Sequence, residues 1–125
     1  MSASYEQSCP IARTLDVIGE RWTILILRDL LLEGPRKFHD LQRSLSGVSP
    51  NTLSAQLKRL EEHGVIAHRF YDQHPPRAEY FLTDKGRALG PALAALRDWG
   101  LPHAGGHMHP RYRALETASR SRERP

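Results

Sequence analysis

The segment 48–64, VSPNTLSAQLKRLEEHG, constrains the fold more than any other part of this sequence. Ser49 can cap a helix through its hydroxyl, and Pro50 follows at the first helical position, where a missing N–H costs nothing. Gly64 stands where helices often end in a left-handed conformation. Between these signals one apolar face repeats at helical spacing: Leu53, Leu57 and Leu60. The pattern predicts an amphipathic helix with its leucine face buried.

The face opposite the leucines is short, polar and partly basic over its first turns. It carries Asn51, Ala55, Lys58 and Glu62, with Thr52 and Arg59 on its flanks. A helix that enters a DNA major groove needs small polar groups against base edges and cations for phosphates, with acids kept away. An ordinary amphipathic surface helix has the same periodicity, so the flanking segments must discriminate between the two interpretations.

The preceding segments predict a helix-turn-helix. Pro10–Ile18 has helical spacing with proline in its first turn, and residues 20–32 are apolar on more than one face, as in a buried central helix. Gly34 and Pro35 end that helix. Residues 36–45 predict a helix of about two turns. A connector containing glycine, 46–48, leads from it into the helix predicted in the segment 48–64.

The following segments predict a wing and a last helix. Residues 65–71 and 79–83 are rich in β-branched and aromatic side chains and predict two paired strands. The polar stretch between them, DQHPPRA, predicts a rigid tip that carries Arg77 to a minor groove or to the DNA backbone. Residues 84–100 predict a helix with an apolar stripe formed by Leu89, Leu93, Leu96 and Trp99. That stripe serves either to pair two subunits or to close the core.

Composition bounds the remaining choices. The 125 residues suit one domain, and the net charge of +4 fits a polyanionic partner. The single cysteine, Cys9, excludes an intramolecular disulfide. The N-terminus has no apolar core of a signal peptide, and the run 24–32 is too short to span a bilayer, so we predict a cytoplasmic protein without a membrane partner. Residues 1–8 and the Arg/Ser-rich stretch 101–125 are predicted to be flexible.

A set of ordered motifs runs from residue 9 to residue 100. These are Cys9-Pro10, LDVIG at 15–19, Arg21-Trp22-Thr23, Ile26-Leu27-Arg28, Gly34-Pro35 with Arg36, Phe38 and Leu41, Ser49-Pro50, LKRLEE at 57–62, Gly64, Pro76-Arg77, Glu79-Tyr80, Leu82-Thr83 and Trp99-Gly100. In these motifs the chain resembles the HxlR family of bacterial winged helix-turn-helix transcription regulators. The resemblance implies a mainly α domain over 9–100 with a small β-hairpin. It also implies a homodimer, paired through its N- and C-terminal helices, that binds a pseudo-palindromic operator in double-stranded DNA and controls a nearby gene.

The expected DNA contacts follow from this arrangement. We expect contacts with base edges from Asn51, Thr52 and Ala55. We expect contacts with phosphates or the groove margin from Ser49, Lys58 and Arg59. Arg77 would act from the wing, and Lys37 and His39 would contact phosphates from the entry to the short helix. His39 departs from the family pattern, because it stands where a small capping residue is often found.

Cys9 is the candidate redox sensor. In members of the family that sense oxidants or electrophiles, a cysteine at the Cys-Pro position is the sensor. A thiol near a helix N-terminus is favoured as the reactive thiolate, and oxidation would give a sulfenic acid, a mixed disulfide or a bridge to the other subunit. The alternative is a cysteine that only packs at the dimer interface.

Other chemistry has little support in the sequence. The triplet His103, His107 and His109 lies in a glycine-rich stretch without a neighbouring carboxylate or cysteine, so a solvated loop is favoured over a metal site. We find no motif of a nucleotide-binding, metalloprotease or hydrolase site, and we predict neither a cofactor nor enzymatic activity. Two alternative functions stay open: a winged helix that binds proteins, and a regulator that senses a small molecule at the dimer core.

Overall fold

The computed structural model describes residues 9–107, and their elements follow the order of a winged helix-turn-helix. The helices are α1 (Pro10–Ile18), α2 (Arg21–Glu33), α3 (Phe38–Ser44), α4 (Pro50–Glu62), α5 (Asp84–Arg87) and α6 (Gly90–His103). The strands are β1 (Arg36–Lys37), β2 (Ile66–Gln73) and β3 (Pro76–Leu82). This confirms the predicted fold class. Residues 1–8, and residues 108–125 of the stretch 101–125 that we predicted to be flexible, lie outside the described residues.

The core lies between α2 and α4. Ile26 and Leu27 of α2 are fully buried, as predicted for a central helix. The three leucines of α4 face them, so the predicted apolar stripe is confirmed: Leu53, Leu57 and Leu60. Burying such side chains contributes about 1.5–3 kcal/mol each. This packing orients α4, because its leucine face is fixed inward and the opposite face must point to solvent.

The predicted ends of α4 are also confirmed. The Oγ atom of Ser49 accepts a hydrogen bond from the backbone N–H of Thr52 at 3.1 Å, and Pro50 is the first helical residue. After the helix, Gly64 has φ = +74°, a conformation that side chains with a Cβ rarely adopt. The chain can therefore leave α4 at this point and enter β2.

The short helix begins later than predicted, because residues 36 and 37 form a strand. Arg36 pairs with Tyr80, and Lys37 with Glu79, which makes β1 the outer strand of an antiparallel sheet in the order β1-β3-β2. The predicted hairpin is thus a three-stranded sheet. The capping position of α3 is Lys37, whose N–H donates to the Asp40 carboxylate at 3.2 Å. The cap thus lies two residues before His39, the residue that departs from the family's capping pattern.

The wing is longer and its tip shorter than predicted. Strand pairing extends outward to Asp72 opposite Arg77 and to Gln73 opposite Pro76. Most of the stretch that we assigned to a polar tip therefore lies in the strands. The register shifts between Phe70 and Asp72, a bulge at the level of Tyr71.

The predicted last helix is divided into two. Thr83 caps α5 by accepting the Gly86 N–H at 3.2 Å, and α6 starts only at Gly90 and continues beyond the predicted end to His103. The apolar stripe is divided as well. Leu89 and Leu93 pack onto the core, whereas Leu96 and Trp99 are 52% and 64% exposed.

Candidate nucleic-acid interface

The exposed face of α4 is where the predicted base-reading residues lie. Asn51, Ala55 and Lys58 are exposed on the side opposite the buried leucines. Thr52 is half-buried on the flank, and its hydroxyl bonds the Ser49 Oγ atom at 2.9 Å. The first turn of this face is thus held by the same hydroxyl pair that caps the helix. Thr52 is less free than Asn51 to turn toward a ligand.

The two basic residues of α4 differ in their surroundings. Within residues 9–107, Lys58 takes part in no salt bridge and projects into solvent. The guanidinium of Arg59 donates a hydrogen bond to the backbone carbonyl of Asp16 in α1. Arg59 therefore ties α4 to the first helix, and only its remaining N–H groups are available to a phosphate.

Sequence reasoning missed one exposed residue on this helix. Ser54 is exposed and follows Asn51 at a spacing of three, so it borders the same face on the side away from Thr52. Helical periodicity could have identified Ser54, because residues 51, 54, 55 and 58 recur on one side of the helix.

A second basic surface lies between α3 and the wing. A cleft of about 310 Å³ is lined by both elements, and it brings together Lys37, His39 and Arg77. These three residues were predicted separately to contact DNA backbone. The fold thus gathers them from α3, its cap and β3 into one surface, which we call the wing cleft.

Tyr71 belongs to the wing cleft and was missed by the sequence analysis. Its ring lies 4.6 Å from the Nζ atom of Lys37, a cation–π distance that restrains the flexible lysine side chain. Tyr71 also sits at the strand irregularity between Phe70 and Asp72, and such bulges re-aim a side chain. No local sequence signal identifies this contact, because it joins residues far apart in the chain.

The negative charge of Asp40, beside the wing cleft, is compensated by neighbouring cations. Burial opposes ionisation of Asp40, but the hydrogen bond from the Lys37 N–H and the charges of Arg36, His39 and Arg43 outweigh this, so the pKa of the carboxyl is lowered. The Arg43 guanidinium donates to Asp40 at 2.8 Å. Arg77, in contrast, forms no salt bridge within the described part of the chain. The cleft therefore keeps a net positive character.

A side-chain cluster holds the wing against α4. The Nδ1 atom of His68 in β2 lies 2.5 Å from the Glu61 carboxylate, and its ring packs 5.3 Å from Phe70 and 5.8 Å from Tyr80. Burial and then the charge of Glu61 raise the pKa of Tyr80. These contacts join β2 and β3 of the wing to the C-terminal end of α4.

Cys9 occupies the capping position of α1, as the sequence predicted for a thiol at a helix N-terminus. Its carbonyl accepts the Arg13 N–H at 2.9 Å, while its side chain forms no capping hydrogen bond. The thiol is free and half-exposed.

The histidine stretch is only partly described. The ring of His103 packs 4.9 Å from Trp99, and His109 lies outside the described residues. Over residues 9–107, no group of three or more His, Cys, Asp or Glu side chains is arranged to hold a metal ion. Nor does this part of the chain contain a helix that is both long and apolar enough to cross a membrane.

Comparison with known proteins agrees with this geometry. Residues 17–108 match the model of the HxlR-like helix-turn-helix family. The chain is 37% identical over 94 residues to the HTH-type transcriptional regulator YdeP of Bacillus subtilis, a match that covers 75% of this chain and 73% of YdeP. It is 40% identical over 95 residues to the HTH-type transcriptional regulator BH0655 of Halalkalibacterium halodurans, covering 76% of this chain and 84% of BH0655.

A solved structure shares the fold at similar identity. The reduced form of the redox regulator HypR matches with a TM-score of 0.71 and 32% identity over 77% of this chain and 94% of HypR. Its oxidised form gives a TM-score of 0.69 and 34% identity over 76% of this chain and 97% of HypR. The chain therefore belongs to the HxlR-like helix-turn-helix family and is a DNA-binding transcriptional regulator of the HTH type.

Proposed function

We propose that the protein is a homodimer that binds an inverted-repeat operator and controls a gene nearby. The observation that carries the proposal is that the fold forms two basic surfaces, the outer face of α4 and the wing cleft, on a helix and a wing that are joined by a contact between Glu61 and His68. One surface suits a major groove and the other suits the adjoining backbone.

Each residue then has a distinct role. Asn51, with Thr52 and Ala55 beside it, meets base edges, because a side-chain amide can pair with the edge of adenine. Ser49, Lys58 and Arg59 border the groove and bind phosphates. Lys37, His39 and Arg77 bind phosphates from the wing cleft, and Arg77 is the residue nearest to an adjacent minor groove. These contacts would position the helix without themselves reading sequence.

Exposed apolar side chains on the first and last helices support the homodimer. On α1, Ile11 and Leu15 are 73% and 55% exposed, and on α6 Leu96 and Trp99 are comparably exposed. Large apolar surface left in water favours association. A two-fold axis through these helices would present two α4 helices to successive turns of DNA.

We also propose that Cys9 makes this regulator responsive to oxidants. HypR is a redox regulator, and Cys9 is a free, half-exposed thiol on one of the helices that we assign to the dimer. Two Cys9 thiols, one from each subunit, would be oxidised by hydrogen peroxide. The thiols give up two electrons and two protons and form one S–S bond, while the O–O bond of the peroxide breaks and two molecules of water are released.

Selection of genomic fragments on the purified protein at near-physiological salt tests the DNA-binding proposal. A few enriched sites with an inverted repeat, whose half-site centres lie about one helical turn apart, are expected. Uniform recovery of all fragments with reduced and with oxidised protein would overturn the proposal and favour the protein-binding alternative.

Asn51→Ala tests base reading, with a random duplex of the same length as the control ligand. We expect Asn51→Ala to lose discrimination at one operator position while binding to random DNA stays constant. An equal loss on operator and random DNA would show that Asn51 reads no base.

Cys9→Ser tests the redox role. With hydrogen peroxide, the wild-type chain should form a dimer that resists denaturing electrophoresis and is reversed by thiol reductant, and its operator affinity should change. The variant should show neither effect. If peroxide changes operator affinity equally in both proteins, Cys9 is a packing residue and not the sensor.

A further inference from the structure

Tyr71 is an exposed aromatic side chain in a cleft that otherwise gathers cations. Its ring lines the wing cleft together with Lys37, His39 and Arg77. The DNA contacts proposed above give this ring no role. The ring faces the Nζ atom of Lys37, which lies 4.6 Å from the ring centroid. Tyr71 therefore interacts with a cation that we assign to DNA binding.

An irregularity in the sheet brings this ring to Lys37. The strand pairing shifts between Phe70 and Asp72, so Tyr71 is the extra residue of a bulge in β2. Lys37 lies in β1, on the other side of the central strand β3. The ring of Tyr71 thus reaches across β3 to a residue of the far strand. A bulge re-aims a side chain in this way.

The ammonium group of Lys37 has no acid partner in the part of the chain that the structure describes. Glu79 pairs with Lys37 across the sheet, but its carboxylate binds the Arg69 guanidinium at 2.8 Å. The Asp40 carboxylate accepts the backbone N–H of Lys37 at 3.2 Å, and no salt bridge joins it to the ammonium group. Among the described residues, the ring of Tyr71 is therefore what holds this cation.

Without the ring, the Lys37 side chain would be held loosely in the wing cleft. A lysine stem is long and flexible, and the like charge of Arg77 in the same cleft drives the ammonium group outward. The negative face of an aromatic ring attracts the cation and opposes this movement. The ring takes up at most one of the ammonium N–H groups, so the others stay available to a phosphate oxygen.

We propose that Tyr71 is a positioning residue for DNA binding: its ring holds the Lys37 ammonium group in the wing cleft, where a backbone phosphate binds. The ring itself needs no contact with the DNA. It reduces the conformational entropy that the lysine side chain loses when it binds a phosphate. This inference rests on the phosphate contact that the proposed function gives to Lys37.

Variants that keep or remove the ring test this role on a duplex of random sequence, because phosphate binding does not depend on sequence. In fluorescence anisotropy, Tyr71→Leu should weaken binding about tenfold in a dimer, roughly threefold for each subunit. Tyr71→Phe keeps the ring and should bind like the wild type. Tyr71→Leu should leave the salt slope unchanged, because no cation is removed. Lys37→Met should reduce the slope by about 2, since two phosphate contacts of about 0.9 each are lost.

Combining Tyr71→Leu with Lys37→Met tests the pairing itself. In the Lys37→Met protein, removal of the ring should cost no further affinity, because there is no ammonium group left to hold. Phe70→Leu is the matched control, since it removes a neighbouring ring of the same strand that packs 5.3 Å from His68 instead. Its effect should be the same with and without Lys37→Met. Thermal unfolding of each variant checks that it is folded.

A second measurement needs no DNA. In the free protein, the NMR signals of the Lys37 Cε protons should be displaced by the aromatic ring in the wild type and in Tyr71→Phe. In Tyr71→Leu they should return to the usual position of an exposed lysine.

Three results would overturn the inference: undiminished binding by Tyr71→Leu, a loss of the same size in the Lys37→Met protein, or an equal loss in Tyr71→Phe, which would assign the effect to the hydroxyl group. Operator binding is measured separately on the same samples. If the wild type prefers no operator over random duplex, the proposed function is rejected instead, and the dependence of the Tyr71 effect on Lys37 can still be measured.

Discussion

Replacing Arg77 by alanine should weaken DNA binding in a way that depends on salt rather than on sequence. Arg77 lines the wing cleft beside Lys37, and within the described residues it has no salt bridge to satisfy it. A cation that binds a phosphate releases a counterion from the DNA, so the logarithm of affinity falls linearly with the logarithm of salt concentration. Each phosphate contact contributes about 0.9 to the slope.

The expected slope follows from the cations of the two basic surfaces. Lys37, Lys58, Arg59 and Arg77 each bind one phosphate in the proposed complex, which makes about eight in a dimer and a slope of about −7. Arg77→Ala removes about two of these contacts and should reduce the slope to about −5. Between 50 and 200 mM salt, affinity should then fall by about 10⁴ for the wild-type protein and by about 10³ for the variant.

Fluorescence anisotropy with labelled operator and with random duplex, over a series of salt concentrations, measures these slopes. Arg69→Ala is the matched control, because it removes the same charge from the same hairpin but from a side chain that already pairs with Glu79 at 2.8 Å. Its slope should stay near the wild-type value. The reasoning is refuted if Arg77→Ala leaves the slope unchanged, or if both variants lower it equally.

Three further predictions concern stability. Ser49→Ala should destabilise the protein by about 1 kcal/mol through loss of the cap on the Thr52 N–H; thermal unfolding should show a drop of roughly 4–8 °C, and an unchanged midpoint would mean that the cap contributes nothing. Gly86→Ala should cost about 1–3 kcal/mol or more, because the new Cβ would lie 2.2 Å from the Val65 carbonyl oxygen; urea unfolding measures this, and a neutral result would contradict the packing described at that site. Asp40→Asn should lower the free energy of unfolding at neutral pH, because the pKa of Asp40 is lowered in the folded protein and its ionised form is therefore the stabilising one. The difference in unfolding free energy between wild type and variant should vanish as the pH falls from 3.8 through the lower folded pKa. A difference that stays constant with pH in urea titrations would contradict this effect of the lowered pKa.

Local sequence signals predicted α4 well. The cap at Ser49, the glycine at position 64 and the leucine period all involve residues within a few positions of one another, so their interactions can be read directly from the sequence. The helix after Cys9 and the apolar helix α2 were predicted within a residue or two for the same reason.

Non-local pairing explains the errors. Strand β1 has only two residues, too few for any periodicity, and it exists because Arg36 and Lys37 meet Tyr80 and Glu79 across the sheet. The wing strands extend through DQHPPRA because pairing partners compensate for weak strand propensity. The last helix is broken between Arg87 and Gly90, although its leucine spacing continues through the break.

The sequence by itself determined that residues 50–62 form a capped helix with one apolar and one polar face, and that the flanking elements make a winged helix-turn-helix. Tertiary structure alone decided that Lys37, Tyr71 and Arg77 share one cleft, that Arg59 is tied to α1, and that half of the last apolar stripe is left in water. The physical reason is the distance along the chain over which each kind of interaction acts. Capping and helical periodicity act between near neighbours in the chain, whereas clefts and exposed faces arise from contacts between segments that only the folded core brings together.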